Sequence, residues 1–340
     1  MQASLSILRR VGATNLMLPA LGFGTAPLGE LYAKVDEAES QKTLKAAWDG
    51  GIRYYDTAPW YGRGLAERRL GTFLRAKSRR EFLISTKVGR TLFEPSNPDT
   101  FDTAPWAGGL KLDVKFDYSY DGIMRSYEEA LQRLGLDTID ALVIHDLDAA
   151  YHGENISRHL NDLQMSGMRA LDKLKASGDI VAYGIGVNSI GDFERAAAEI
   201  DLDFALIAMP YTLLEQGSLH TSMADCVRRN ISVIIGSPFA SGILATGANS
   251  TANYAYVAAP QEIQEKTRQL EAICKAHGVS ILAAALQFPM AHPAVVSIIP
   301  GATQASYVTQ DIAAFETTIP DSFWSDIKAQ GLVVADAPTP

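Results

Sequence analysis

Eight short apolar runs, each followed by a stretch with helical spacing, constrain this chain more than any other feature of its sequence. They are Leu21–Thr25, Tyr54–Ala58, Phe82–Val88, Ala141–Asp146, Ala182–Asn188, Phe204–Tyr211, Ser232–Pro238 and Val295–Gly301. The runs are continuously apolar rather than alternating, as strands covered by helices on both faces must be. Helical spacing follows over Asp36–Asp49, Leu65–Lys77, Ile123–Leu134, Leu160–Ser177, Asp192–Ile200, Met223–Arg229, Glu262–His277 and Ser280–His292, then Tyr307–Phe315 and Ser322–Ala329. Gly50–Gly51, Gly135 and Gly178 stand where helices stop. Eight such units in 340 residues predict an α/β fold, a (β/α)8 barrel as one domain over residues 1–340. An open doubly wound sheet is the rival, but the G-x-G-x-x-G turn that usually begins one is missing; GFGTAPLG is only superficially similar.

Two segments fall outside the repeat. Ser6–Pro19 reads as two short strands around the turn VGATN, a lid hairpin. Arg90–Asp121 holds Pro95, Pro98, Pro105 and several Asp residues, which break any period. It is a long loop insertion, of the kind that carries function in compact folds.

Bulk properties narrow the function. The formal charge of -9 argues against nucleic acid or an anionic membrane as a partner. No apolar run has spanning length, and the N-terminus lacks the apolar core of a secretion signal. Cys226 and Cys274 sit in helix-like contexts without metal-ligand spacing, which reads as reduced thiols in a cytoplasmic protein and no metal site. The oligomeric state has no signature in the sequence.

Polar residues collect where strands run into loops, the end at which barrels carry their chemistry. Asp56 ends the second run, Tyr61 follows on its loop, Lys87 lies late in the third run and His145 late in the fourth. Singly, each has a plain explanation: a loop cap, a surface aromatic, a snorkelling lysine, a satisfied core histidine. Jointly they describe proton chemistry at a carbonyl or alcohol. A buried ammonium beside a phenol is expected to lower its pKa, a carboxylate keeps the ammonium charged, and the imidazole orients a substrate oxygen. No electron sink is present, so redox chemistry needs a cofactor.

In this order LGFGT, YYDTAPWYG, STKVG, ALVIHD, YGIGVN, GSPF and SIIPGAT resemble the aldo-keto reductase superfamily over nearly the whole chain. ERRLGTFLR, FDYSYDGIMRSYEEALQRLGLD, HDLD and YTLLEQG are similar to its branch of D-threo-aldose 1-dehydrogenases, L-fucose dehydrogenases and pyridoxal 4-dehydrogenases. The resemblance implies a (β/α)8 barrel with an extended nicotinamide cofactor. It implies Tyr61 as general acid/base, Lys87 and Asp56 as the groups that tune it, and His145 as the group that steers the substrate oxygen. It also implies cofactor contacts from Gly24, Thr25, Asp56, Asn188, Ser189, Tyr211, Ser237, Pro238, Phe239, Gly242, Gly301, Thr303 and Asp311. Trp60, Trp106 and the Tyr254/Tyr256 loop are expected to wall the substrate site with Tyr61 and His145. Asp146 is a candidate for sugar hydroxyls, whereas Asp148 reads as solvated.

The expected reaction is oxidation of an aldose C1 hydroxyl to the lactone. Pyridoxal hemiacetal is the alternative substrate; an NADPH-dependent aldehyde reductase and a non-catalytic nucleotide-binding subunit of a channel are alternative functions. Three positions depart from the wider family: Ala208 in place of Gln, Gly236 in place of a stacking Tyr, and Asn188–Ser189 in reversed order. No Lys or Arg lies between Pro300 and Asp311, where family members that use NADP place cations. A dianionic 2′-phosphate wants charge-assisted donors, so NAD is expected, with NADP possible.

Overall fold

The computed structural model describes residues 4–208, 210–249, 251–255 and 257–340. Two short hairpin strands, β1 (Leu8–Arg10) and β2 (Met17–Pro19), precede β3 (Phe23–Gly24), β4 (Tyr54–Asp56) and β5 (Leu83–Val88). The insertion contributes β6 (Arg90–Phe93) and β7 (Asp113–Phe116). Then come β8 (Ala141–His145), β9 (Ala182–Val187), β10 (Phe204–Ala208), β11 (Ser232–Gly236), a small hairpin of β12 (Asn253–Tyr254) and β13 (Val257–Ala258), and β14 (Val295–Ile299). The helices are α1 (Glu37–Asp49), α2 (Leu65–Leu74), α3 (Tyr120–Leu134), α4 (Ala149–His152), α5 (Ile156–Asp162), α6 (Met168–Ser177), α7 (Ile190–Glu199), α8 (Ser222–Arg229), α9 (Ile243–Thr246), α10 (Gln261–His277), α11 (Ile281–Gln287), α12 (Ala305–Glu316) and α13 (Asp321–Ala329).

Eight strands pair in the order β14-β11-β10-β9-β8-β5-β4-β3. The edges meet: Leu21 bridges Ile298 in parallel, and Gly22 N–H donates to the Ile298 carbonyl at 2.8 Å. The sheet is therefore a closed parallel barrel, the (β/α)8 fold. Tyr54, Val143, Phe204, Leu206 and Ile234 fill its interior, while a larger apolar layer lies between strands and helices.

Because side chains alternate along a strand, the interior position of Tyr54 carries Asp56 inward, and that of Val143 carries His145. These polar residues occupy the last inward positions, at the C-terminal ends. The β1–β2 hairpin covers the opposite end. Its Arg9 donates to the Met290 and Val295 carbonyls at 2.9 and 2.6 Å, and Gly12 N–H donates to Ser232 Oγ at 2.8 Å. Ser232 and Val295 begin β11 and β14, so the expected lid is a bottom plug.

Several boundaries differ from expectation. A π turn at Leu163–Gly167 divides the helix read over Leu160–Ser177 into α5 and α6. Pro289 converts the end of Ser280–His292 into a short 3-10 turn after α11. The sixth strand stops at Ala208, before Tyr211. The insertion is ordered: β6 and β7 pair antiparallel from Arg90↔Phe116 to Phe93↔Asp113. Its middle is tied to the loop before α1, through Tyr32 N–H to the Pro105 carbonyl (3.1 Å) and Ala107 N–H to the Glu30 carbonyl (2.8 Å). Glu30 is in turn held by buried Arg69 at 2.9 Å.

Candidate active site

The C-terminal end of β4 and β5 is built around a buried ion pair. Lys87 and Asp56 are each 1% exposed. Lys87 Nζ donates to Asp56 Oδ1 at 2.5 Å and to the Thr57 carbonyl at 2.9 Å. Ser85 Oγ donates to Asp56 Oδ2 at 2.7 Å. Both carboxylate oxygens are thus satisfied, as a buried charge requires. Register explains the meeting, since Asp56 pairs with Ser85 and Lys87 lies two residues further on the same face. The chain then turns through Gly62, whose φ of 63° and close approach to the Gly29 backbone leave no room for a side chain. That turn presents Tyr61 to the barrel mouth. Lys87 Nζ lies 4.6 Å from the Tyr61 ring centroid. Among the described residues the Tyr61 hydroxyl has no hydrogen-bond partner.

One expectation is corrected here. Tyr61 is not a lowered phenol in this site. Enclosure, followed by the charges of Asp56 and Asp146, pushes its pKa well above the ordinary value. Lys87 spends its charge on Asp56, so the pair beside the phenol is close to neutral.

On β8, burial and the cations Arg90 and Lys87 hold His145 well below its ordinary pKa, so it is neutral. Its Nδ1 is buried without a partner among the described residues, and its Nε2 approaches Asp146 Oδ2 at 3.3 Å. Asp146 takes a left-handed φ of 48°, an uncommon conformation for a non-glycine residue and one that recurs at functional sites. Tyr118 O–H donates to the His145 carbonyl at 2.7 Å, and His152 Nε2 meets the Asp146 carbonyl at 2.9 Å. The Asp146 carboxylate is salt-bridged to Arg90, which is 1% exposed. The guanidinium lies 4.6 to 4.8 Å from the ring centroids of Trp60, Phe116 and Tyr151.

These groups border a cavity of about 430 Å³. Tyr61, Lys87, His145, Asp146 and Asn188 supply polar surface; Leu31, Trp60, Pro105, Trp106, Val187 and Leu206 supply apolar surface, with Tyr32 and Tyr151 adding rings. Trp106 packs edge-on against Trp60 at 5.6 Å and tilted against Tyr61 at 5.9 Å. The insertion thereby forms a wall beside Trp60 and Tyr61. A second lobe of about 360 Å³ shares Ala26, Leu31, Tyr32, Tyr61, Leu206 and Ala208 with the first. Its own walls are the loop ends of β3, β11 and β14, with Gly24, Asp56, Gly236, Ser237, Pro238, Phe239, Gly242 and Gly301.

The chain matches the Aldo/keto reductase family over residues 20–331. It belongs to that family. It is 42% identical to a pyridoxal 4-dehydrogenase of Microbacterium luteolum over 334 residues, covering 96% of this chain and 97% of that one. It is 38% identical to a D-threo-aldose 1-dehydrogenase of a Pseudomonas species, covering 96% and 97%. An aldo-keto reductase from Bacillus halodurans, solved in its holo form, shares the fold with a TM-score of 0.74, 23% identity and 97% coverage of both chains. A family model over most of the chain, with relatives named as dehydrogenases, makes this an oxidoreductase acting on CH–OH groups through a nicotinamide cofactor.

Within this aldo/keto reductase, Tyr61, Lys87, Asp56 and His145 come together at one barrel mouth. Trp60 and Trp106 stand on the wall of the first lobe; Gly24, Ser237, Pro238, Phe239, Gly242 and Gly301 stand on the wall of the second. Asn188 lies on the first. Other expected residues do other work. Tyr211 is turned away, stacked at 5.4 Å on Phe288 outside the barrel. Thr25 donates to the Asp56 carbonyl at 3.0 Å. Ser189 caps α7 and bonds Asp192 at 2.5 Å. Thr303 and Asp311 border neither lobe, and burial raises the Asp311 carboxyl to about 7. Asp148 is 1% exposed rather than solvated; it caps α4 through Tyr151 N–H at 3.2 Å. Tyr254 borders neither lobe, and Tyr256 lies outside the described residues.

Reading the sequence missed the Arg90 clamp, Tyr151, and the Leu31–Tyr32 loop shared by both lobes. Arg90 had one usable signal. It is an arginine two residues past a buried strand, next door to a strand ending in His-Asp.

Proposed function

We propose that this chain is an NAD-dependent dehydrogenase that oxidises the C1 hydroxyl of a cyclic aldose such as L-fucose, D-arabinose or L-galactose to the lactone. The observation that carries the proposal is that Tyr61, Lys87 and His145 face a cavity that shares Tyr61 and five other residues with a second lobe bordered by Asp56 and several glycines. That lobe suits the cofactor: Gly24, Gly236, Gly242 and Gly301 leave backbone within reach along its wall, and it borders Tyr61. Gly24, Ser237, Pro238, Phe239, Gly242 and Gly301 would hold it, with Thr303 and Asp311 further along for the adenosine end.

When bound, the oxidised nicotinamide supplies a hydride acceptor and a positive charge. The chain's own residues handle the proton. His145 Nε2–H donates to the C1 oxygen and fixes its position. Tyr61 takes the hydroxyl proton as its phenolate. Burial and nearby carboxylates oppose that phenolate, so its formation calls for positive charge beside the ring. Lys87 and Asp56 keep one protonation arrangement beneath the ring. C1 thereby loses a hydride and O1 a proton, which yields the lactone carbonyl.

One feature supports NAD. The stretch between Pro300 and Asp311 carries no cation. A 2′-phosphate brought to it would find no charge-assisted donor within that stretch.

Pyridoxal hemiacetal is the second reading, favoured by the Trp60–Trp106–Tyr151 walls, which suit a flat ring, and by the 42% relative. Reduced nicotinamide formation with NAD and with NADP, across L-fucose, D-arabinose, L-galactose and pyridoxal, tests both. Turnover of aldoses with NAD is expected. Turnover of pyridoxal alone would move the substrate, and no oxidation of any would overturn the dehydrogenase proposed here.

A further inference from the structure

The catalytic cavity holds one ionised group that the proton chemistry does not use. Asp146 borders the cavity, and its two oxygens differ. Oδ2 receives the Arg90 guanidinium and lies 3.3 Å from His145 Nε2. Oδ1 has no hydrogen-bond partner among the described residues. Arg90 is itself packed between the rings of Trp60, Phe116 and Tyr151, which holds its guanidinium on Asp146.

A carboxylate whose Oδ2 lies 3.3 Å from the imidazole nitrogen that receives the reacting oxygen stands beside that oxygen's neighbour on the substrate. In a cyclic aldose the neighbour of O1 is the hydroxyl on C2. Leaving a buried charged acceptor dry is costly, and a site built this way rejects analogues that lack the hydroxyl.

We infer that Asp146, clamped by Arg90, is a specificity-determining residue that accepts a hydrogen bond from the C2 hydroxyl of the aldose. Arg90 is its positioning residue. The inference rests on the aldose reading proposed above, and it assigns to Asp146 the selection of 2-hydroxy over 2-deoxy hemiacetals.

The test is a cycle of substrate and protein changes. D-Arabinose and 2-deoxy-D-ribose differ only in the C2 hydroxyl. The wild-type protein is expected to favour D-arabinose in kcat/KM by roughly 10- to 150-fold, the range of a hydrogen bond to a charged group. In Asp146→Asn the ratio shrinks. In the double variant Arg90→Met/Asp146→Leu, which removes both buried charges together and so leaves neither unpaired, it falls close to one. A wild-type ratio near one overturns the inference while leaving the aldose reading intact, and this arm requires no variant to fold. An unchanged ratio in the folded double variant overturns it as well. Failure of the wild type to oxidise D-arabinose, L-fucose or L-galactose with either nucleotide overturns the aldose reading and this inference with it.

Discussion

The two halves of the barrel mouth are built on opposite plans. Beneath β4, β5 and β8 lie buried charges, with Lys87 on Asp56 and Arg90 on Asp146. At the ends of β3, β11 and β14 the wall is glycine, serine and proline with Phe239 and Ile299, and Asp56 is its one charged side chain. The first half places ionisable groups at defined atoms and tolerates little change. The second half offers shape and main-chain polarity. In the function proposed above, the contrast separates two tasks: moving a proton calls for fixed side-chain charge, while holding a long dinucleotide calls for backbone access.

Removing one charge from the first half should have the largest effect. Lys87→Met leaves Asp56 buried and unpaired, at a cost of about 3–5 kcal/mol. Chemical denaturation should show that loss, and Lys87→Met/Asp56→Leu should recover part of it. A single variant as stable as wild type would show that the pair is not the keystone of this half.

Bulk in the second half should weaken nucleotide binding more than it affects proton chemistry. A Cβ at Gly301 would lie 2.7 Å from the Gly24 carbonyl and 2.7 Å from Pro27 Cδ. Gly301→Val should raise the NAD Kd at least tenfold, read by fluorescence titration, with the Tyr61 environment unchanged.

The pH dependence sharpens the contrast within the polar half. Burial, opposed by Arg90 and Lys87 and assisted by Asp148, raises the Asp146 carboxyl to about 6. His145 faces it as a neutral ring, and the Tyr118 and Tyr151 phenols stay protonated. The raised value means that the stability gained from protonating Asp146 is full below its ordinary 3.8 and fades as pH rises through about 6. Activity runs the other way, because the ionised form is the acceptor. Aldose kcat/KM should fall as pH drops through about 6, and Asp146→Asn should lack that limb.

The smallest effect concerns cofactor choice. Tyr307 is 47% exposed near the start of α12. Tyr307→Arg should move the NADP-to-NAD ratio of kcat/KM upward by roughly 3- to 10-fold, the scale of a solvent-screened ion pair.

The same contrast explains what was legible in the sequence. Charges inside apolar strands stand out, so Asp56, Lys87 and His145 could be placed at one rim from strand order and alternation alone. The fold was legible for the same reason, through eight apolar runs. A glycine-lined wall has no comparable signature, and residues assigned to it by resemblance divided: Gly24 and Gly301 border the lobe, whereas Ser189 and Tyr211 serve a helix cap and an outer aromatic stack. The direction of the Tyr61 shift was misjudged because enclosure of the ring outweighs the lysine, with the charges of Asp56 and Asp146 adding to it, and enclosure is not written in the local sequence. The Arg90–Asp146 clamp was hidden for a related reason. It joins two strand ends 56 residues apart through a loop whose conformation leaves no periodic trace.

The most direct test of this division of labour is Tyr61→Phe, with NAD affinity and the rate of hydride transfer measured side by side in single turnover. The account predicts an NAD Kd within about threefold of wild type and hydride transfer slowed by roughly 10²- to 10⁴-fold, the range for loss of a general acid/base. Hydride transfer at the wild-type rate with aldose would contradict it, and so would a loss of nucleotide binding large enough to account for the whole defect.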